Sequence, residues 1–272
     1  MVLGVNMRSI YVIGCGHMGE AILSALRAKF GVDCLRAIDA DPDRVNKLSS
    51  QGYNASNRVA DIDARDVAVL AVPPQQFEVA LIDHPLLLAH RGPIISIMAG
   101  VTLSTLKKSM RHSNIVRAIP NTPSEVGQGI TLYYLADPAS PELINLAELV
   151  FSALGIAIRV DAERKIDSGT ALVGGGPALV CYFANSLQKY AETGGFDKET
   201  ARLISGQLLY GTSMMMRLSK KSSLQLCKEV QTVGGTTEQA INYLNSNGFN
   251  KLVLDALFRA QKRAVELGDG LS

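Results

Sequence analysis

Two glycine-rich stretches carry the residues of this chain best suited to chemistry. The first is YVIGCGHMGEAIL (11–23), where Gly14, Gly16 and Gly19 stand in a G-x-G-x-x-G spacing. The spacing alone is common. Here it ends an apolar strand pattern and opens a helical one, which is the setting that dinucleotide binding requires. Gly14 permits the tight turn, Gly16 lets the backbone approach a pyrophosphate, and Gly19 lets the helix pack close on the strand. Cys15, His17 and Met18 fill the intervening positions of the same cofactor loop. Asp39 follows Gly19 by 20 residues and ends the next strand pattern. A carboxylate there accepts hydrogen bonds from ribose hydroxyls and repels a 2′-phosphate. Arg44, just beyond, reads as a solvated helix residue. The pattern leans toward NADH and leaves NADPH open.

The second stretch is TVGGTTEQAI (232–241), again ahead of a helical pattern. A helix start exposes unpaired N–H groups and a partial positive charge, which suits an anion. Thr232, Gly234, Gly235, Thr236 and Thr237 supply close backbone approach and hydroxyl donors. The bland alternative is an ordinary cap, with Thr236 or Thr237 capping its own helix.

The elements that must position these residues divide the chain in two. Strand patterns at 9–14, 34–39, 66–72, 93–98, 114–120, 129–136 and 155–160 alternate with helical ones, which predicts right-handed crossovers and a parallel sheet. After residue 161 the strand patterns stop. Helical periodicity fills 162–173, is cut by GGGP (174–177), and resumes from Pro177 to the end. The expected fold is thus an α/β Rossmann domain, doubly wound on a parallel sheet, over residues 1–161, followed by an all-α domain over 162–272. LLYGTSMMMRL (208–218) is more apolar than one face of a lone helix needs, so a subunit interface is expected there as readily as a core helix.

Composition excludes several functions. The chain has 272 residues, 47% hydrophobic and 19% charged, with a net charge of +2, four cysteines and no tryptophan. That balance argues against nucleic acid or an anionic membrane as partner, and no aromatic platform for bases exists. The cysteines form no C-x-x-C pair and match no metal-ligand spacing, so no metal site is expected. Reduced cysteines and the absence of a targeting pattern in MVLGVNMR point to the cytoplasm.

Ligands of doubly wound sheets lie at the carboxyl ends of the strands. Val72, Pro73, Ala99 and Gly100 fall there and read as a close-fitting wall along the cofactor. Asn121 lies near the expected nicotinamide end, although N-T-P is also an ordinary turn sequence. Taken in order, GCGHMGEAI, LAVPPQ, AGVTLSTL, RAIPNTPSEVGQG, TALVGGGPA and GGTTEQAI resemble the pyrroline-5-carboxylate reductase family from about residue 9 to residue 268. The P-N-T-P and G-G-T-T segments are far more specific than the glycine fingerprint. The resemblance implies hydride transfer from NADPH or NADH to the C=N carbon of 1-pyrroline-5-carboxylate, giving proline. It also implies a helical dimerisation domain, a homodimer that can assemble into larger rings, and an active site shared by the nucleotide domain and the helical domain of the dimer. It assigns Thr237 to a place beside the ring nitrogen and makes Thr237 and Asn121 the catalytic candidates. Thr232, Gly234, Gly235, Thr236 and Gly175 would surround the substrate carboxylate. A protonated cyclic imine already accepts hydride, so alignment matters more than a dedicated acid.

Three departures stand out from the family's usual pattern. VGGGPAL (173–179) has Val173 and Gly175 in place of serines and Leu179 in place of tyrosine. Val233 replaces a proline, and Pro73 replaces a lysine. One lost hydrogen bond to a charged group corresponds to roughly ten- to hundredfold in affinity. A reductase of another cyclic imino acid, or a non-catalytic dinucleotide sensor of the same fold, is therefore kept as an alternative. A β-hydroxyacid dehydrogenase is disfavoured, because no lysine stands in a G-x-x-x-K context and GGTT is present.

Overall fold

The computed structural model describes residues 7–269. The first six residues of MVLGVNMR, where no targeting pattern is expected, lie outside them. Eight strands form one sheet: β1 (Ile10–Ile13), β2 (Leu35–Ile38), β3 (Asn54–Ser56), β4 (Val67–Leu70), β5 (Ile94–Ser96), β6 (Ile115–Ile119), β7 (Gly129–Tyr134) and β8 (Gly155–Arg159). Their order is β3-β2-β1-β4-β5-β6-β7-β8. The helices among them are α1 (His17–Phe30), α2 (Pro42–Ser50), α3 (Phe77–Asp83), α4 (Leu86–Ala89), α5 (Leu103–Met110), α6 (Pro141–Leu154) and α7 (Arg164–Gly169).

Strand β1 shows why the sheet is covered on both faces. Ile10 and Val12 pack with Ile22, Leu23 and Leu26 of α1 and with Leu146 and Val150 of α6. Tyr11 and Ile13 point the other way, toward Phe77 and Leu81 of α3 and Leu103 and Leu106 of α5. The period-2 alternation of a strand thus feeds two apolar layers. The order reverses between β1 and β4, which opens the crevice where doubly wound sheets hold ligands.

The expectation of an all-parallel sheet needs one correction. β7 runs antiparallel to β6, and β8 then pairs parallel with β7. Only a 3₁₀ turn, Thr122–Val126, lies between β6 and β7. A parallel return would need a crossover of a dozen residues or more, so the short connection dictates the reversal. The edge strand β3 was not expected at all; its three residues are too few to show a period.

The expected cut at GGGP is a π turn with a one-residue turn at Gly175, not a loop. α7 passes into a π-helical turn, Thr170–Gly174, and then into α8 (Gly176–Thr193). Pro177 has no N–H and its ring would press on the carbonyl four residues back. The wider turn, in which the Gly175 N–H reaches the Thr170 carbonyl at 3.2 Å, lets the helical path continue.

Compactness divides the chain differently from the last strand. One unit comprises residues 1–177 and 259–272, the other residues 178–258. The sheet unit reaches past residue 161 because α7 is pinned to it. Arg117, fully buried on β6, donates to Glu163 at 2.9 Å and to Asp167 at 2.6 Å. Glu163 also accepts the Leu103 N–H at the start of α5.

The helical unit consists of most of α8, then α9 (Lys198–Leu218), α10 (Ser223–Glu229), α11 (Thr236–Ser246) and the first part of α12 (Phe249–Asp269). Two of its helix starts carry side-chain caps. Asp197 accepts from the Glu199 and Thr200 amides, and Ser222 with Gln225 forms a capping box. Its core is slight: among the described residues of 178–258, only Ala191, Ala201 and Ser205 are buried. No helix among the described residues is long and apolar enough to cross a membrane.

Candidate active site

Each fingerprint glycine has a distinct physical reason. Gly14 sits at φ +91°, where a side chain would meet the backbone of Ala71 and Val72 at 2.7–2.8 Å. Gly19 lies against the Gly14 carbonyl, so any Cβ there would overlap it. Gly16 has nothing within 4 Å of a Cβ position. The space it leaves is therefore kept for something other than this fold. Gly16 is also the N-cap of α1, with no side chain capping it. The first-turn amides of His17, Met18 and Gly19 have no intrahelical acceptor and suit a pyrophosphate.

A cleft of about 840 Å³ opens at this point. Gly14, Gly16, His17, Met18, Asp39, Val72, Pro73 and Ala99, expected along the cofactor, line it. Cys15 and Gly19 are buried beneath it. The Cys15 N–H donates to Asp39 Oδ2 at 2.6 Å, and burial pushes the Cys15 thiol up to about 12, which leaves it inert as a nucleophile. Gly100, at φ +78°, is not in the wall. It lies beneath the end of α12, where a Cβ would meet the Ala264 carbonyl at 2.5 Å and the Gly268 amide at 2.7 Å. Asn121 is likewise outside the cleft lining; its amide oxygen accepts the Ile130 N–H at 2.9 Å and ties the turn to β7.

The reading of Arg44 as a solvated residue is overturned. Its guanidinium donates to both Asp39 oxygens, at 3.0 and 3.2 Å, and lies 3.8 Å from Asp41. The hydrogen bond to Asp39 raises the pKa of Arg44 further. Asp39 is 8% exposed and also accepts the Asp41 N–H at 3.0 Å. Its carboxylate lines the cleft already oriented by three donor groups through four hydrogen bonds. Pro74, Gln76, Val79, Ala80, Asp83 and His84 extend the lining on the far side of β4. Sequence reasoning missed these six. Their signal was the long polar-apolar run directly after the strand end in VPPQQFEVALIDH (72–84).

In the helical unit, the threonines do not cap α11. The cap is Gly235, with no side-chain bond, and Thr236 and Thr237 are its first two residues. Their amides and that of Glu238 have no intrahelical acceptor. The Gly235 N–H turns back to the Thr232 carbonyl at 2.9 Å, and the Gly234 N–H is held by Glu238 Oε2 at 2.8 Å. Gly234 needs its φ of +71°, and Gly235 needs a bare Cα because the Thr232 hydroxyl overlies it. Gly175 lies inside the π turn, its Cβ position 2.7 Å from the Ala171 carbonyl. Among the described residues no group of three or more His, Cys, Asp or Glu side chains is placed to hold a metal.

A doubly wound sheet with an open glycine turn, an oriented carboxylate at the end of β2 and a cleft at the strand-order reversal defines a dinucleotide-dependent oxidoreductase. Residues 9–100 match the family described as NADP oxidoreductase, coenzyme F420-dependent. Residues 163–267 match the family described as pyrroline-5-carboxylate reductase dimerisation. The pyrroline-5-carboxylate reductase of Pseudomonas aeruginosa is 33% identical over 268 residues, which cover 96% of this chain and 97% of that one. That of Synechocystis is 30% identical over 266 residues, covering 94% and 97%. Among solved structures, a pyrroline-5-carboxylate reductase from Coxiella burnetii superposes with TM-score 0.80 at 33% identity, covering 96% of this chain and 98% of that one. The NADP-bound pyrroline carboxylate reductase of Plasmodium falciparum gives 0.85 at 25% identity, covering 97% and 100%. The chain belongs to the pyrroline-5-carboxylate reductase family, whose members are NAD(P)H-dependent oxidoreductases.

Proposed function

We propose that this chain reduces 1-pyrroline-5-carboxylate to proline, with the cofactor in the β1–β4 cleft and the substrate carboxylate at the start of α11. The observation that carries this reading is the start of α11 itself: a glycine cap, no side-chain cap, and two threonines offering amides and hydroxyls. An anion of the size of a carboxylate fits such a start. Thr236 and Thr237 amides, with the Thr237 hydroxyl, hold the carboxylate and set the ring. The Gly234 N–H is a further donor to it, and Thr232 and Gly235 shape the loop beneath.

The bound nicotinamide supplies hydride to the imine carbon. What the protein's own residues contribute is alignment. Gly16 and the first turn of α1 would fix the pyrophosphate, Ala99 and Val72 wall the cleft along the cofactor, and Asn121, outside that lining, holds the turn after β6 against β7. Asp39, already held by Arg44, accepts the adenosine ribose hydroxyls. Arg44 is balanced by Asp39 and Asp41, so it is no free cation for a 2′-phosphate, and NADH is the favoured cofactor. A homodimer formed through the helical unit fits the large side chains left exposed there, Tyr182, Tyr190 and Leu218 among them. We place the functional division at 161/162, in accord with a dimerisation match that begins at residue 163. Four unpaired cysteines fit a reducing cytoplasm.

The test is oxidation of NADH and NADPH against a panel of cyclic imino acids, with Thr237→Ala beside the unaltered protein. Turnover of pyrroline-5-carboxylate is expected, more efficient with NADH. Thr237→Ala should lower kcat/KM for the imine about ten- to hundredfold with cofactor KM unchanged. Cofactor binding without turnover of any imine, or turnover only of a six-membered analogue, would refute the assignment.

A further inference from the structure

The start of α11 already carries a carboxylate of its own. Glu238, the third residue of the helix, folds back and accepts the Gly234 N–H through Oε2 at 2.8 Å. An acidic residue at this position often reaches back to the cap amide, where it stabilises the helix. Here it reaches one residue further, past Gly235, to the amide of the residue before the cap. It can do so because Gly235 turns its own N–H inward to Thr232 and because Gly234, at φ +71°, turns its N–H toward the helix. A charge-assisted bond of this kind is among the stronger single hydrogen bonds a surface group makes. The side chain is half-buried, and no cation pairs with it among the described ion pairs.

We propose that Glu238 is a place-holding anion that sets substrate affinity: it occupies the Gly234 amide in the free protein and must give way when the substrate carboxylate arrives. This rests on the reading of the α11 start as the carboxylate site. Two carboxylates within one helix turn repel, and both seek the same few amide protons and the same positive helix end. Binding therefore exchanges one anion for another instead of filling a vacant site. The exchange weakens capture of the substrate, and the negative charge that Glu238 adds discriminates most strongly against substrates and inhibitors that approach as anions. It leaves the hydride step alone, because Glu238 touches neither the ring nor the cofactor in this scheme. Glu238 is a specificity-determining residue, not a catalytic one.

Steady-state kinetics on the full-length protein test this with two substitutions. Glu238→Gln keeps an acceptor for the Gly234 amide and removes the charge. Glu238→Asp keeps the charge and is one methylene too short for the bond. Both should lower KM for pyrroline-5-carboxylate, by about three- to tenfold for Gln, with kcat and the KM for NADH within twofold of the unaltered protein. Acetate, used as a competitive carboxylate probe, should inhibit the Gln form at correspondingly lower concentration. A merely structural role for Glu238 would instead lower thermal stability and raise KM or lower kcat. Unchanged or raised KM in both variants, with acetate inhibition unaltered, overturns the proposal. Absence of turnover by the unaltered protein would overturn the substrate assignment itself, so the two failures are distinguishable.

Discussion

The sheet unit buries what its sequence makes apolar; the helical unit does not. β1, β4, β5 and β6 are each buried end to end, and α1, α3, α5 and α6 cover them from both faces. By contrast α8, α9, α11 and α12 keep Tyr182, Phe183, Tyr190, Leu203, Leu208, Tyr210, Tyr243 and Phe258 largely exposed. Both units have regular helices, some with side-chain caps and some without, so local structure does not separate them. What separates them is whether the chain itself supplies a second layer. A layer of helix with an uncovered apolar face is incomplete, and the match to a dimerisation family over 163–267 says what kind of completion this fold uses.

The strongest way to break that contrast is to make the uncovered face polar. A shallow apolar dent on α9 is lined by Leu203, Ile204, Gln207 and Leu208. The double substitution Leu203→Glu with Leu208→Glu should abolish self-association at micromolar concentration, a loss of more than about 4 kcal/mol. Imine reduction should fall with it, while NADH binding to the sheet unit persists. Sedimentation velocity and a cofactor fluorescence titration read the two effects separately. An unaltered oligomer would show that α9 is not the covered face.

Next in size is the ion cluster that holds α7 to the sheet. Arg117 is fully buried, and its partners Glu163 and Asp167 are each about a quarter exposed, 28% and 22%. Arg117→Met leaves those carboxylates without their cation and the Leu103 amide with a less well-placed acceptor. Since the carboxylates retain some water, the expected loss lies at the low end for a broken buried pair, about 3 kcal/mol in urea unfolding. A loss under about 1 kcal/mol would mean that apolar packing alone holds α7, and the sheet unit would then end nearer residue 161.

These two predictions also mark how far the residues were readable in advance. The fingerprint turn was legible because each glycine answers a local demand: a positive φ at Gly14, overlap at Gly19, open space at Gly16. Strands β1, β4 and β5 and the longer helices were legible because their periods are local; α3, α4 and α5, at four to eight residues, were too short to show one. The reversal at β7 was not, because strand direction depends on what the connection allows and a 3₁₀ turn has no strong period. Nor was the true use of Arg44: it stands five residues from Asp39, but the pairing depends on the turn between β2 and α2, which the period of neither element fixes. Arg117 carried a visible signal, a lone charge inside the apolar run NIVRAIP, but its partners lie 46 and 50 residues away. Glu238 sat in plain view, and only the backbone turn at Gly234 shows where its carboxylate goes.

The smallest expected effect separates the units by acid. All four histidines, His17, His84, His90 and His112, belong to residues 1–177, and the helical unit has none. Burial lowers the pKa of His84, His90 and His112 below the ordinary 6.5, and for His112 the neighbouring His90 ring, stacked at 6.2 Å, lowers it further. A depressed pKa means that the unfolded chain takes up protons first. Stability is then full above about pH 6.5 and declines as pH falls below it, through the folded values, because ν_U exceeds ν_N over that window. Thermal unfolding followed between pH 7.5 and 5.5 should show the sheet unit losing stability as pH falls. His90→Phe with His112→Phe should flatten that slope, since two of the three depressed groups are gone. Peptides from α8–α11 monitored by hydrogen exchange should respond far less over the same interval. Equal loss of protection in both units would mean that acid does not act through the histidines of residues 1–177 alone.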